Sequence, residues 1–517
     1  MSARITDRMR ERHAGRAELV LTTTALFAST LVVVAYLLHA AALVSYPWDW
    51  SPDEGLYLDC ARRLLRSPAS LHLKSFVPFP SVYGPGLPAL LAPAVALASN
   101  PLPAARLVML ACALVSAWAT YRLARRVAPR VLAFAAVALA WAPFALTFWH
   151  LLVRPDGPML MFWLLAALVL LPRQLARGAD ALGPRRTALG VVLLLASVLT
   201  KQTALLHGAP LVLGWWWVDR RSALRLASWL AGAGLAVVLA LQWATSGGFL
   251  WVNRVWALHG AWDPALALTI TVVFVQRAWP LLLVGAVSLW LAVRGPAADQ
   301  ARRDGSLLLV AGALAAWPLV GKYGAWWNYV LPLLPAVAVV AARAAAAAKA
   351  DASRRPHPGL AWAAALAVLA VATAASERFP LPTAADEKTA SAFYAYVREH
   401  TQRSGGPILA IRPELAYVVV GQDVEMEGSG YLQIAGNHAP GTELIVRRLA
   451  SGTYTLTLVS WPMPADAYAE LSRSYRYAGS CRLGYYFGLS SVAVLPRQDL
   501  LRALPSAAGV RCGAEGR

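Results

Sequence analysis

The chain has 517 residues, of which 58% are hydrophobic, with a mean hydropathy of +0.51 and a formal net charge of +20. Repeated apolar runs of roughly 20 residues are long enough to cross a bilayer, which excludes a soluble enzyme and indicates a polytopic membrane protein. The positive charge does not indicate a nucleic-acid partner, because residues 377–517 are close to neutral and the basic excess lies between the apolar runs.

Short basic clusters between the apolar runs follow the positive-inside pattern. Residues 1–376 hold 33 basic and 14 acidic residues, and 23 of the basic residues fall in six clusters: Arg4–Arg16, Arg122–Arg130, Arg173–Arg186, Arg220–Arg225, Arg294–Arg303 and Arg343–Arg355. We expect all six clusters in the cytoplasm, so that the N-terminus is cytoplasmic and the C-terminus lies outside an inner or plasma membrane. Because the first apolar run is too long for a signal peptide, it is predicted to be an uncleaved anchor.

This topology gives 11 predicted crossings, several of them shorter than usual. They lie at roughly 19–45, 105–121, 131–149, 159–172, 188–200, 203–218, 222–243, 265–293, 306–320, 329–343 and 359–376. Residues 86–99 are also apolar, but a crossing there would move the Arg122–Arg130 cluster outside. We therefore interpret 86–99 as a re-entrant or juxtamembrane helix of the first outer loop, residues 46–104.

The first outer loop is rich in acidic and aromatic residues. Six acidic residues of the first 376 are predicted to lie outside, and four of them fall within Asp49–Asp59. Ser51-Pro52-Asp53-Glu54 predicts a helix start, with Ser51 as the cap, Pro52 in the first turn and the acids at the positive end of the helix dipole. Tyr57 then shares a helical face with Asp53. An interfacial amphipathic helix with ordinary capping acids is the alternative.

Three more outer loops contain cations close to apolar segments. They carry Arg154-Pro155-Asp156, Lys201 within Thr200–Thr203, and Lys322 in the sequence GKYGAWWNY. Each cation alone is compatible with a side chain that snorkels towards lipid headgroups. Three cations on the same side as the acidic loop instead suggest an anionic, membrane-borne substrate that meets a carboxylate base.

The composition changes after residue 376, and residues 377–517 predict an extracytoplasmic α/β domain. Helices are predicted at Thr383–His400 and Asp466–Tyr477, and strands at Pro407–Ile411, Thr455–Ser460 and Ser491–Leu495. This domain shows neither a phosphate loop nor a nucleophile elbow, which favours an acceptor platform or a lid. The four cysteines contain no CxxC pair, and a disulfide between Cys481 and Cys512 is compatible with an outer location.

Several motifs follow one another in chain order: Pro52-Asp53-Glu54-Gly55-Leu56-Tyr57, Tyr83-Gly84-Pro85-Gly86-Leu87-Pro88, Arg154-Pro155-Asp156, Thr200-Lys201, and Asn328-Tyr329 with Leu331-Pro332. Together they resemble the GT-C superfamily of glycosyltransferases, in the branch of protein O-mannosyltransferases and bacterial lipid A aminoarabinose transferases. The resemblance implies a multi-pass enzyme that transfers a sugar from a polyprenyl-phosphate donor to an extracytoplasmic lipid, glycan or protein. It implies inversion at the anomeric carbon, without a nucleotide sugar, a metal or another cofactor.

The resemblance also implies roles for individual residues. Asp53 takes the place of the catalytic base, and Glu54 would orient either that base or the acceptor. The donor phosphate and sugar would be bound by a larger set of residues: Arg154, Asp156, Lys201, Lys322, Tyr57, Tyr83 and Tyr329. Asp156 would position the sugar or pair with Arg154. One departure concerns the aminoarabinose branch, which has a Glu-Lys pair where this chain has Tyr83-Gly84, so neither a metal site nor the donor of that branch carries over.

Two other classes of function fit part of the sequence. A transporter or flippase for a lipid-linked saccharide would also need charges within the membrane, but the sequence shows no inverted repeat and its acids cluster outside. A silent scaffold in envelope assembly is the third interpretation, and the Asp53-Glu54 pair argues against it.

Overall fold

The computed structural model is mostly helical. It describes residues 2–51, 53–74, 81–171, 181–259, 262–294, 305–322, 325–351, 358–376, 381–410, 421, 443–459, 465–482 and 490–496. Within these residues there are eighteen α-helices: α1 (Ser2–Ser45), α2 (Glu54–Arg66), α3 (Gly86–Leu97), α4 (Pro101–Ala124), α5 (Arg130–Trp141), α6 (Phe144–Thr147), α7 (Asp156–Leu170), α8 (Pro184–Thr200), α9 (Ala204–Val218), α10 (Arg220–Ala244), α11 (Gly248–His259), α12 (Pro264–Arg294), α13 (Ser306–Leu314), α14 (Leu333–Asp351), α15 (Pro358–Ser376), α16 (Ala384–Ser404), α17 (Glu443–Ala450) and α18 (Ala465–Ser474). Short 3₁₀ turns lie at Pro68–Ser70, Phe148–His150, Trp317–Gly321 and Trp327–Tyr329.

Five helices among the described residues are long and apolar enough to cross a membrane. They are α1 from Arg16, α4, α10, α12 and α15 from Gly359, and the bent pair α5–α6 would make a sixth. Further apolar helices of 10–17 residues correspond to the short predicted crossings near 159–172 and 203–218, among others. The structure therefore confirms a helical membrane protein, and the count of 11 crossings stays a prediction.

The helices divide into buried and lipid-facing ones. Helix α1 packs on α5 and α15 through a stripe with the three-to-four-residue spacing of one helical face: Ala25, Ala28, Val32, Tyr36, Ala40 and Leu43. Helix α10 is different, because only 6% of its most apolar 18-residue window is buried. Its exposed side chains include Trp229, Leu239 and Trp243, as expected for a helix that faces lipid.

The helix of the first outer loop begins later than the sequence predicts. Helix α2 begins at Glu54 with Asp53 as its N-cap residue, so the assignment of Ser51 as the cap was wrong. The Glu54 carboxylate accepts hydrogen bonds from the backbone N–H groups of Trp50 and Ser51, which turns the chain back before the helix starts. Pro52 lies outside the described residues.

The predicted helix at 86–99 corresponds to α3, which has 12 residues. Such a helix rises about 18 Å, which is short of the ~30 Å hydrocarbon core. Helix α3 packs on α2 and α4 through Leu87 and Leu91. This length agrees with a helix that does not cross, although its depth in a membrane stays a prediction.

Two segments of the bundle are less regular than predicted. The predicted crossing 131–149 is broken into α5 and α6, which bend by 75°. Pro143 lies at the break: it has no backbone N–H to continue the helix, and its ψ of 78° takes the chain out of helical geometry. The predicted outer segment 244–264 contains helix α11, which follows a tight turn with positive φ at Ser246 and Gly247.

After residue 376, helices alternate with the strands β1 (Ile408–Ala410), β2 (Leu456–Val459), β3 (Tyr475–Arg482) and β4 (Ser490–Pro496). They form one sheet of order β1-β2-β4-β3, in which the β1–β2 pair is parallel and the other two pairs are antiparallel. The predicted strands overlap β1, β2 and β4. The helix predicted to end at Tyr477 instead ends at Ser474, because Tyr475 already pairs with Pro496. Cys512 lies outside the described residues, so the disulfide stays a prediction.

Helix α16 connects this part of the chain to the first outer loop. Its N-terminus has a capping box between Thr383 and Asp386. Further along, Ser391 accepts a hydrogen bond of 2.9 Å from the Trp48 indole, and the Tyr394 hydroxyl donates to the carboxylate of Asp49. The rings of Trp48 and Tyr394 lie 4.5 Å apart. Helix α16 therefore lies against the residues that immediately precede α2.

The loop before α3 packs closely on the end of α8, which yields the first prediction. A Cβ added at Gly84 would lie 2.3 Å from the carbonyl oxygen of Leu199, and a neighbouring backbone cannot move as a flexible side chain can. We expect Gly84→Ala to lower the free energy of unfolding by about 1–3 kcal/mol. The control is Gly183→Ala, where a Cβ would have no neighbour within 4 Å. Thermal unfolding in detergent measures both variants, and equal transition temperatures would contradict the predicted close contact.

Candidate functional site

Asp53 lies at the first turn of α2 with 16% of its side chain exposed. Its Oδ2 accepts a hydrogen bond from Nη1 of Arg154, a residue of the segment between α6 and α7. Its Oδ1 accepts no hydrogen bond from any residue that the structure describes. One carboxylate oxygen is therefore held by a guanidinium while the other faces a partly open space.

Asp156 is the buried centre of the same site. Its Oδ1 accepts hydrogen bonds from Nζ of Lys201 at 2.5 Å and from Nδ2 of Asn328 at 3.0 Å. Its Oδ2 accepts a bond of 3.0 Å from the indole of Trp149. This carboxylate thus joins the start of α7, the end of α8 and the turn that begins at Trp327.

Arg154 lies between the two carboxylates. Besides its contact with Asp53, its Nε is 3.6 Å from Oδ2 of Asp156. The guanidinium lies over the ring of Trp149, 4.2 Å from the centroid. Asp53, Arg154, Asp156 and Lys201 form a row in which the sign of the charge alternates, so the row is neutral when all four groups are ionised.

Lys201 is fully buried, which separates it from a lysine that snorkels towards headgroups. It follows the last residue of α8, where the backbone becomes extended. Its ammonium lies 4.1 Å from the centre of the Tyr329 ring, in addition to its bond to Asp156. Tyr329 therefore covers one side of the cation, as cation–π geometry favours.

Glu54 lies beside Asp53 in the sequence but points into the protein. It is fully buried and forms a bidentate pair with Arg106 of α4, with Nε–Oε1 at 2.9 Å and Nη2–Oε2 at 2.6 Å. Arg106 also donates to the carbonyl oxygens of Leu43, Tyr46 and Trp48. Glu54 therefore pairs with a buried arginine of α4, whereas Asp53 pairs with Arg154 in the charged row.

The two tyrosines of the first outer loop lie together, with ring centroids 6.2 Å apart. Tyr57 is buried against α3 and α4, and Tyr83 is half-buried. The carbonyl oxygen of Tyr83 accepts hydrogen bonds from His72 and Ser81. Beside it, Val82 accepts a bond of 2.8 Å from Gln202, the residue after Lys201.

Lys322 lies apart from the alternating row. It is half-buried and its ammonium is 6.0 Å from the ring centre of Trp256 in α11. Burial lowers the pKa of this ammonium below its ordinary value. Of the three predicted cations, Arg154 and Lys201 are thus brought together and Lys322 is not.

An apolar groove of about 550 Å³ lies between α8, α9 and α10. Its walls are mostly leucine, valine and alanine side chains, and three of its lining residues lie at one end: Gly84, Gln202 and Phe249. Because Gln202 directly follows Lys201, this end of the groove adjoins the charged row. The groove offers apolar surface along the bundle and polar groups at this end.

Sequence reasoning missed two residues of the site. Arg106 was treated as the edge of an apolar run, although a single arginine in such a run signals a buried partner. Trp149 gave no signal, because an aromatic residue near a predicted membrane boundary is common. Asn328 was quoted only as part of a motif, and it donates to Asp156.

Metal ligands do not cluster in the part of the chain described here: no group of three or more His, Cys, Asp or Glu side chains is arranged to hold an ion. Cys60 and Cys112 are buried free thiols. The independence from a metal stays a prediction.

Part of the chain matches one protein-family model, and its fold matches several solved structures. Residues 82–244 match the dolichyl-phosphate-mannose-protein mannosyltransferase family. ArnT from Cupriavidus metallidurans, in structures bound to undecaprenyl phosphate and in the apo state, matches with TM-scores of 0.55 and 0.56. Both matches have 14% identity and cover 90% of this chain and 97% of ArnT. The apo oligosaccharyltransferase of Archaeoglobus fulgidus matches with a TM-score of 0.48 and 12% identity, over 84% and 69% of the two chains. No curated protein sequence matches.

The buried Glu54–Arg106 pair yields the second prediction. Removing the guanidinium leaves a buried carboxylate and three backbone carbonyls without their donor, so Arg106→Met should cost about 3–5 kcal/mol of stability. Arg122→Met is the matched control, because Arg122 is an exposed arginine on the same helix. Its cost should stay within about 0.5 kcal/mol. Unfolding temperatures in detergent distinguish the two, and a wild-type transition for Arg106→Met would refute the role of the pair.

Proposed function

We propose that this chain, a GT-C membrane glycosyltransferase by its fold and partial family match, transfers a sugar from a polyprenyl-phosphate donor to an acceptor outside the cytoplasm. The observation that carries the proposal is the partly exposed Asp53 carboxylate, held by Arg154 at the end of a buried charged row. A carboxylate that keeps one oxygen free suits a general base. A neighbouring guanidinium suits a phosphate leaving group.

The proposed reaction is a single displacement. The acceptor hydroxyl oxygen attacks the anomeric carbon as its proton passes to Oδ1 of Asp53. The bond between the anomeric carbon and the phosphate oxygen breaks, and the electron pair leaves with the polyprenyl phosphate. Because attack and departure occur on opposite faces of the sugar, the anomeric configuration inverts.

In this proposal the cations act on the leaving group in different ways. Arg154 is 11% exposed and can contact the phosphate while it keeps its bond to Asp53. Lys201 is buried, and it orients Asp156 and supplies positive potential close to the developing charge. Asp156 positions Arg154 through its 3.6 Å contact, and Asn328 and Trp149 hold Asp156 itself.

The remaining predicted residues line the surroundings of this centre. Tyr57 and Tyr83 form an aromatic wall in the first outer loop, where a sugar ring can pack. Tyr329 shields Lys201. We propose Lys322 as a contact for an anionic group of the bound substrates, at a distance from the charged row. Glu54 holds Asp53 in place through Arg106.

The polyprenyl chain is proposed to lie in the apolar groove between α8, α9 and α10. The groove is lined by aliphatic side chains along the bundle, and its outer end adjoins Lys201 through Gln202. A lipid chain there would place its phosphate at the mouth, on the side of the charged row. A lipid-phosphate ligand is supported by the structural match to ArnT, which has a structure bound to undecaprenyl phosphate.

The third prediction tests the base. General-base loss typically costs 10²–10⁴-fold in rate, so Asp53→Asn should lose that much transfer and keep donor binding. The assay is the release of undecaprenyl phosphate in detergent from a panel of undecaprenyl-phosphate monosaccharides, with a membrane extract as the source of acceptor. Asp263→Asn is the matched control, because this exposed outer acid caps α12 through Ala265 and asparagine can replace it there.

Two outcomes would refute the proposal at different levels. An Asp53→Asn variant with the wild-type rate of release would remove Asp53 as the base. Absence of release from every donor, together with movement of lipid-linked saccharide across sealed liposomes, would favour a transporter, because transport leaves the sugar–phosphate bond intact.

The fourth prediction concerns orientation. We propose that the N-terminus is cytoplasmic and that residues 377–517 form an outer domain, since the six basic clusters then lie inside. A reporter that is active only after export should be active when it is fused after Ser376 and also near Pro101. A cytoplasmic signal at Pro101 would mean that α3 crosses the membrane, and the later loops would then change sides.

A further inference from the structure

We propose that Lys74 binds the phosphate of the lipid-linked donor at the outer mouth of the apolar groove. This assignment rests on the proposed function and adds a residue to it. The reason for seeking another cation is the charge of the row, in which Arg154 and Lys201 already pair with Asp53 and Asp156. Arg154 can still contact a phosphate, but the row as a whole is neutral, so a further cation would balance the charge that the phosphate brings.

The structure places Lys74 at the groove through its neighbour His72. The ring of His72 lies 5.2 Å from the ring of Phe249, which lines the groove. The carbonyl oxygen of His72 lies directly against Gly248, where an added Cβ would approach it to 1.7 Å. His72 also binds the carbonyl oxygen of Tyr83, next to Gly84 in the groove wall. His72 thus holds residues 72–74 across the mouth of the groove.

The ammonium of Lys74 lies on the turn between α10 and α11. Its Nζ is 2.8 Å from the point that a Cβ of Gly247 would occupy, and Gly247 has a φ of +88°. Glycine is therefore suited to this position in two respects, since it adopts the left-handed turn and leaves room for the lysine. The Lys74 side chain is exposed, but its contact with this turn restricts where its ammonium can lie.

A second donor points to the same place. Nε2 of Gln242 lies 3.4 Å from the same Cβ position, and the orientation of its amide follows from Oε1, which accepts a bond from the backbone of Leu250. Within the described ranges, which stop at Lys74 and resume at residue 81, neither Nζ of Lys74 nor Nε2 of Gln242 has an acceptor. Two N–H donors that converge without an acceptor between them provide a site for an anion.

The position of Gln242 relates this anion site to the lipid chain. Val238 lines the groove one helical turn before Gln242 on α10, and Val237 lies beside it. A chain in the groove would thus place its terminal phosphate about one turn further out, between Gln242 and Lys74. The same phosphate chemistry is present in an ordinary phospholipid headgroup, so the experiment must separate the two sources.

The test, the fifth prediction, compares binding of undecaprenyl phosphate and undecaprenol to the full-length protein in phosphatidylcholine nanodiscs. Loss of a charge-assisted hydrogen bond should weaken the affinity of Lys74→Met for undecaprenyl phosphate by about 10–100-fold. The affinity for undecaprenol should not change, because the groove is intact. Lys74→Arg should retain part of the phosphate affinity, and Lys388→Met, an exposed lysine on α16, should match the wild type.

The outcomes separate this assignment from the function on which it rests. A wild-type protein that binds undecaprenyl phosphate no better than undecaprenol would refute both. Wild-type preference for the phosphate that persists in Lys74→Met would refute only Lys74, as would an equal loss of both ligands. Displacement of undecaprenyl phosphate by phosphatidylglycerol at equal concentration would assign the site to ordinary headgroups and overturn the proposal.

Discussion

The buried ion pair between Glu54 and Arg106 is the interaction on which the site depends. Its carboxylate accepts backbone N–H groups from Trp50 and Ser51 on one side and from Val153 on the other. Asp53 directly precedes Glu54, and Arg154 directly follows Val153. One carboxylate therefore fixes the backbone beside both members of the Asp53–Arg154 contact, although these residues are 101 positions apart. A buried pair is costly to desolvate unless its hydrogen bonds are satisfied, and Arg106 satisfies them with three further carbonyl oxygens.

The alternating row explains how four charges can lie together in a largely buried site. Each carboxylate contacts at least one cation, and the aromatic rings of Trp149 and Tyr329 cover the two cations. In such a low-dielectric environment a charge has a strong effect on any group that develops charge nearby. The row is neutral as a whole, so it can be buried, and it is exposed only at the Asp53–Arg154 end. That end is where a substrate can approach.

The sequence revealed those parts of the site in which an ionisable residue interrupts an apolar run. Arg154, Asp156 and Lys201 were identified for this reason, and the structure brings them together. The break in 131–149 was not predicted, although Pro143 was visible, because the apolar run continues through it. The direction of Glu54 could not be predicted either, since its partner Arg106 is 52 residues away and only the fold brings them together. The strand that begins at Tyr475 was missed because its pairing with β4 overrides local helical preference.

The middle of helix α16 contacts the same part of the chain. Arg106 binds the carbonyl oxygen of Trp48, while the side chain of Trp48 and the carboxylate of Asp49 contact Ser391 and Tyr394 of α16. Trp48 and Asp49 are therefore held by Arg106 of α4 through the backbone and by α16 through their side chains. A displacement of α16 would act on Trp48 and Asp49, which lie four to five residues before Asp53 and directly precede the backbone groups that donate to Glu54. The C-terminal part of the chain thus contacts the loop that carries Asp53, through side chains that are buried or half-buried at the contact.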